Sequence, residues 1–211
     1  ENIRQVEQTG ADWMGFIDLK FFPAEQSGGV GALRALGGPY QQARFIPTGG
    51  VGLHNLNAYL SLPNVLCCGG SFLVPAGLVE AGRFDEIETL CRAAVQTMFD
   101  PQLCHVGMNC AGAQEAEQRA KALDRLFGFA PRELPGAWFA GSAAELVKKP
   151  FLGAHGHLAI AVNHIERAMA WYQAHGVAFR EEGLVMDGAG VVAVYLQEEV
   201  GGFAIHLRRR D

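Results

Sequence analysis

The 211-residue sequence predicts an α/β partial (β/α) barrel followed by an α+β module of paired βαβββ units, and two observations carry that expectation. Over residues 1–100, helix-like and strand-like segments alternate with glycine or proline at most junctions, the pattern of βα units around a parallel sheet. From His105 the texture changes to strand, helix, then several short strands, and this happens twice at an offset of about fifty residues, which implies two βαβββ halves packed as a pseudo-twofold pair. Domains are accordingly expected at 1–100 and 101–211.

In chain order, residues 3–8 read as the end of a helix closed by Gly10, and 13–22 form a continuous apolar run of the kind found in a strand buried on both faces. Gly29–Leu36 is the next helix, stopped by Gly37-Gly38-Pro39. Arg44–Pro47 reads as a strand, 54–60 as a helix and 64–68 as a third strand. Residues 84–97 place Ile87, Leu90, Cys91 and Ala94 at helical spacing, and Asp100-Pro101 ends that helix because the residue before proline is pushed out of the helical region. In the second region, strand 105–110 leads into helix 114–127, and strand 157–162 leads into helix Ile165–Ala174. A Gly and an apolar pair follow each helix, at Gly128-Phe129-Ala130 and Gly176-Val177-Ala178.

A hydrophobic content of 49% is enough to bury real cores. The formal net charge of −5, with no basic block before residues 208–210, gives no footprint for nucleic acid and favours a small-molecule partner. No run reaches the roughly 18 apolar residues of a spanning helix, so no membrane partner is expected and the cytoplasm is the default location. The five cysteines (Cys67, Cys68, Cys91, Cys104, Cys110) lack the spacing of a zinc ribbon or a disulfide scaffold and are expected to be reduced, buried thiols. The chain opens on Glu1 rather than Met and is expected to be a fragment or chimera of a longer protein.

Lys20 stands at the C-terminal part of the first apolar strand. A lysine desolvated there would have a lowered pKa, and its neutral amine could attack a ketone to form a Schiff base that activates the adjacent carbon for carbon–carbon cleavage. The alternative is a lysine that snorkels to the surface. Two further strand ends, Pro47-Thr48-Gly49-Gly50 and Cys68-Gly69-Gly70-Ser71, emerge on the same rim. Their glycines allow backbone N–H groups to approach an anion, and Thr48 and Ser71 add hydroxyls.

Together, Lys20-Phe-Phe-Pro-Ala-Glu25, Gly28-Gly29, Gly38-Pro39, Pro47-Thr-Gly-Gly50 and Cys68-Gly-Gly-Ser71 resemble the 2-keto-3-deoxy-6-phosphogluconate (KDPG) and 4-hydroxy-2-oxoglutarate (KHG) aldolases over about residues 19–98. The resemblance implies Lys20 as Schiff-base nucleophile, Thr48, Gly49, Gly50, Gly70 and Ser71 as substrate- and phosphate-binding residues, a ketoacid or sugar-acid phosphate as substrate, and no cofactor for this part. In that family the general-base glutamate and a carboxylate-binding arginine precede the lysine strand. Residues 1–100 fall well short of the roughly 200 a full barrel needs, so turnover is expected to be impaired. Residues 1–17 resemble a phosphoribosylanthranilate isomerase segment. An open half-barrel would expose strand edges, which implies pairing into a homo-oligomer.

In the second region, His105, Glu145 (in Ala144-Glu-Leu146), His157 and His206 are metal-capable side chains flanked by apolar residues. Strand alternation lets the three histidines share a face inside a cupped sheet, and imidazole with carboxylate suits a divalent first-row metal. Residues 104–210 resemble the vicinal oxygen chelate superfamily of glyoxalase-like proteins, which implies these four residues as ligands of a divalent metal (Zn, Ni, Mn or Fe). His54, His155, His164 and His175 read as solvent or capping residues. Three functions compete: a class I aldehyde-lyase centred on Lys20, a metal-dependent glyoxalase-like lyase or isomerase, and a non-catalytic module that binds a small oxoacid or mediates assembly.

Overall fold

A computed structural model describes residues 18–210 of the protein, so the expected helix at 3–8, the start of the strand at 13–22 and the isomerase-like segment lie outside the described residues. Chain contacts divide the protein into two compact units, Glu1–Met98 and Phe99–Asp211.

In the first unit, β1 (Asp18–Phe21) and β2 (Arg44–Pro47) pair in parallel, with Lys20 opposite Ile46. Between them runs α1 (Gly29–Leu36), which enters from Gly28 in the left-handed region at φ 99° and buries Leu33. The helix α2 (Leu56–Leu60) buries Leu56, Tyr59 and Leu60. After it come α3 (Ala76–Glu80), launched from Pro75 and not foreseen in the sequence, and α4 (Phe84–Phe99), with Asp85 and Glu86 in its first turn where the helix dipole favours anions. The core gathers Leu33, Phe45, Leu56, Tyr59, Leu60 and Val65, with Leu19 and Phe21 packed against it.

Two expectations change here. The lysine strand is not buried on both faces: Leu19 and Phe21 pack on the core while Asp18 and Lys20 are exposed, because among the described residues apolar packing covers one face of the β1–β2 sheet. The third strand at 64–68 shrinks to isolated bridges Phe45 to Val65 and Thr48 to Gly69. Pro63 on one side and Gly69-Gly70 on the other leave a short segment to pair, and it is held by N–H bonds from Phe45 to Asn64 O (2.7 Å) and from Leu66 to Phe45 O (2.9 Å).

The second unit is an eight-stranded sheet in the order β4-β5-β6-β3-β7-β10-β9-β8. Its strands are β3 (Gln102–Asn109), β4 (Pro131–Glu133), β5 (Ala137–Ala140), β6 (Ala144–Val147), β7 (Gly156–Val162), β8 (Val185–Asp187), β9 (Gly190–Val200) and β10 (Phe203–Arg209). The helices are α5 (Ala113–Phe127) and α6 (Ile165–Ala174). Each half has its first strand parallel to its last, β3 with β6 and β7 with β10, and the halves join antiparallel through β3 and β7. This is the paired βαβββ arrangement. Ala116 and Ala120 of α5 are fully buried beside Ala140, Ala144 and Leu146, small side chains that bring helix and sheet close. Gly128 ends α5 in the left-handed conformation.

All five cysteines are free thiols, but only Cys110 is buried and Cys67 is exposed; the apolar runs that carry them face solvent on one side. His164 and His175 cap the two ends of α6, while the His155 ring lies 5.6 Å from that of Phe203. Among the described residues no helix is long and apolar enough to cross a membrane.

Candidate functional site

In the first unit, register and alternation place Lys20, Ile46 and Thr48 on the sheet face turned away from the core formed by Leu19, Phe21 and Phe45. In a closed barrel that face would be the interior. Lys20 is exposed, with its Nζ 5.0 Å from the centroid of the Phe22 ring, a cation–π distance. Backbone bonds lace the three strand ends together: Thr48 N–H to Phe21 O (2.9 Å), Ala24 N–H to Thr48 O (2.8 Å), Glu25 N–H to Gly49 O (3.2 Å) and Gly69 N–H to Pro47 O (3.0 Å). Lys20, Thr48, Gly49 and Gly50 therefore share one rim. Gly70 and the exposed Ser71 follow the Thr48 to Gly69 bridge.

The glycines are required by geometry. Gly49 and Gly50 have φ of 94° and 82°, and a Cβ on Gly50 would overlap the side chain of Glu25. Asn55 clamps the loop from both sides, accepting from Gly52 N–H (2.8 Å) and donating to Gly50 O (3.1 Å). Below it, the fully buried Tyr59 donates its hydroxyl to Glu25, and burial followed by this bond holds the phenol above its ordinary pKa. Neither Asn55 nor the Tyr59–Glu25 pair was visible as a sequence signal, because loop closure decides which side chains meet.

In the second unit, His105 (β3), His157 (β7) and His206 (β10) are all buried, and one ligand nitrogen from each falls within 4.8 Å of the others. The Nε2 atoms of His105 and His157 are 3.2 Å apart, and Glu145 Oε2 on β6 lies 3.0 Å from the first and 3.2 Å from the second. Burial opposes ionisation of Glu145, but the hydrogen bonds to His105 and His157 outweigh it and hold its carboxyl at about 2. Burial, then the charges of His157 and His105, push the His206 ring down to about 3. Both ring nitrogens of His206 are buried without a hydrogen-bond partner.

Alternation aims two of the three rings, since β10 runs beside β7 in unbroken register and so puts His157 and His206 on one face. On β3 the pairing with β7 skips a residue between Leu103 and His105, a bulge that re-aims the His105 side chain, whereas in the β10–β9 pair the extra residues lie on β9 between Tyr195 and Glu199. His105 and His206 then flank the same β7 residue, the fully buried Ala159, while Gly107 sits opposite His157 and a Cβ there would overlap the His157 ring. Phe139 packs edge-on to His105 (5.6 Å) and Tyr195 stacks on His206 (4.8 Å, 15°). Burial and the nearby Glu145 push the Tyr195 phenol up to about 12.

The orphaned His206 nitrogens and the spacing of the cluster fit a metal. A tetrahedral site with Zn–N of about 2.0–2.1 Å spaces its ligand atoms roughly 3.3 Å apart, close to the His105, His157 and Glu145 separations.

Comparison with known proteins bears on the first unit. Residues 4–90 match the family model of the KDPG and KHG aldolases. This segment is similar to that family. The KHG/KDPG aldolase of Escherichia coli (strain K12) is 54% identical over 87 residues, covering 41% of this chain and 40% of that protein, so the chain spans about two fifths of that relative's length. The match begins at residue 4 and so takes in most of the segment likened to phosphoribosylanthranilate isomerase. Among solved structures, a KDPG aldolase from Legionella pneumophila with pyruvate captured as a covalent carbinolamine intermediate aligns at 41% identity and a TM-score of 0.38, covering 43% of this chain and 42% of that one. A methylmalonyl-CoA epimerase from Streptomyces coelicolor aligns at 12% identity and a TM-score of 0.38, covering 51% of this chain and 96% of that one.

Proposed function

We propose that the aldolase segment acts as a class I, Schiff-base aldehyde-lyase on KDPG or KHG. The Lys20 amine adds to the 2-keto carbon, water leaves, and the resulting iminium accepts the electron pair of the breaking carbon–carbon bond as the 4-hydroxyl gives its proton to water and its carbon departs as an aldehyde. Hydrolysis of the remaining enamine, after it takes up a proton, releases pyruvate and restores Lys20. Thr48 would hold the pyruvyl part, while Gly49, Gly50, Gly70 and Ser71 would receive the phosphate or distal carboxylate. The observation that carries this reading is the hydrogen-bonded rim that joins the lysine strand to the Thr48-Gly49-Gly50 loop. Borohydride reduction in the presence of pyruvate should leave one stable adduct on Lys20 and none in Lys20→Met. An adduct of equal yield in that variant, or none in the parent, would remove the proposal. Pairing of two copies through the strand edges that an open half-barrel would expose belongs to the same reading, and a solution mass of a single chain would exclude it.

A second reading is favoured by the orphaned His206: His105, Glu145, His157 and His206 hold a divalent metal from the Zn, Ni, Mn and Fe group. A metal so held would polarise an oxygen of a bound oxoacid, as lyases and isomerases require. The residues supply three neutral imidazoles and one carboxylate, with Phe139 and Tyr195 excluding water from two of the rings. Elemental analysis after dialysis should find one metal per chain, and His206→Ala should lower its retention; a metal content indistinguishable from buffer would defeat the reading.

A further inference from the structure

Beside His105 in the second unit lies a cavity of about 360 Å³, within the range of small-ligand sites. Its charged lining is arginine alone: Arg132 from β4 with Arg208, Arg209 and Arg210 at the end of β10, and among the described residues no carboxylate lines it. Asp187 engages Arg209 and Asp100 engages Arg210, but neither acid belongs to the lining. Arg132 is placed differently. It is exposed, its Cζ lies 5.4 Å from the centroid of Phe139, and Phe139 packs edge-on against His105. Arg208 follows His206 by two residues on β10 and sits opposite Ala161, which also lines the cavity, so alternation sends it to the face of the sheet that carries the histidines.

We propose that this cavity receives the anionic head, carboxylate or phosphate, of a small oxygen-donor ligand whose neighbouring oxygen is directed at the His105–His157–His206 centre. The proposal rests on the metal reading of that centre and adds the substrate class: a small oxoacid or its phosphorylated relative. Guanidinium groups match the planar oxygens of carboxylate and phosphate, and the Phe139 and Ala161 surfaces beside them lower the local dielectric and strengthen the pairing. The Phe139 ring links both ends of the ligand, since one face supports Arg132 and its contact with His105 fixes that imidazole.

Calorimetric titration of the full chain tests this, with oxalate and inorganic phosphate as probes on zinc-loaded and metal-free protein. Oxalate should bind the zinc-loaded protein more tightly than the metal-free one. Arg132→Met should weaken oxalate binding at least fivefold with zinc stoichiometry unchanged, and adding Arg208→Met should bring the loss to tenfold or more. Should the double variant not fold, Arg132→Met on the short edge strand decides alone. Zinc bound normally with oxalate affinity indifferent to Arg132 would overturn the cavity proposal and leave the metal centre standing. Zinc not retained by the parent protein would end the metal reading, and the cavity would then stand on phosphate binding to metal-free protein that Arg132→Met weakens; phosphate binding absent or unchanged there would overturn it too. The relative affinities of oxalate and phosphate distinguish a carboxylate head from a phosphate one.

Discussion

At Gly107 a single hydrogen decides whether the histidine cluster can form, because its absent side chain leaves room for the His157 ring across the β3–β7 pair. Gly107→Ala should therefore displace that ring. The expected outcome is a loss of metal affinity of about tenfold, with a stability cost of about 1–3 kcal/mol from overpacking, measured by competitive metal titration and chemical denaturation. The sequence could name the four candidate ligands, since residue type and repeat position are local information. It could not show that Gly107 and Ala159 make the space between them, because neither carries a chemical signal of its own. Lys20 illustrates the same limit in reverse. Its motif was legible, but its desolvation was not, since burial depends on which strands surround β1, and the structure leaves its side chain exposed against Phe22.

Among the elements, the loop from Thr48 to Gly52 is held by Asn55, and the last strand by two arginines. Asn55→Ala removes an acceptor for Gly52 N–H and a donor to Gly50 O. A loss of about 1 kcal/mol is expected for the first unit, read as a lower urea midpoint at unchanged slope, together with slower pyruvate trapping at Lys20. On β10, Arg209 holds the Asp187 carboxyl below its usual range, and just past the strand Arg210 does the same for Asp100. The folded-state pKa values lie below the ordinary 3.8, so the folded form binds fewer protons than the unfolded chain in that window. The stabilisation is present above pH 3.8 and is lost as pH falls through the folded values. Both groups are solvent-exposed, so the effect is small. Asp100→Asn should flatten the decline in second-unit stability below that pH, and an unchanged acid limb of the denaturation profile would count against the pairing.

For the whole molecule, the division into Glu1–Met98 and Phe99–Asp211 leads to the expectation of two calorimetric transitions. All four candidate metal ligands lie in the second unit, so zinc at about a hundredfold its dissociation constant should stabilise that transition alone, by about 2.7 kcal/mol, and a chelator should reverse the shift. A shift of both transitions would mean that the units unfold as one. By itself the sequence determined the alternating βα texture, the twofold βαβββ repeat and the aldolase motifs, because periodicity, turn residues and short motifs are written in neighbouring residues. Only the tertiary structure decided that the third strand dwindles to two bridges, that Lys20 faces away from the core with Thr48, that a bulge in β3 turns His105 toward His157 and His206, and that arginines from β4 and β10 line the cavity beside them. Each of these depends on strand register and on packing between residues distant in the chain, where the free energy of one contact is set by the placement of many others.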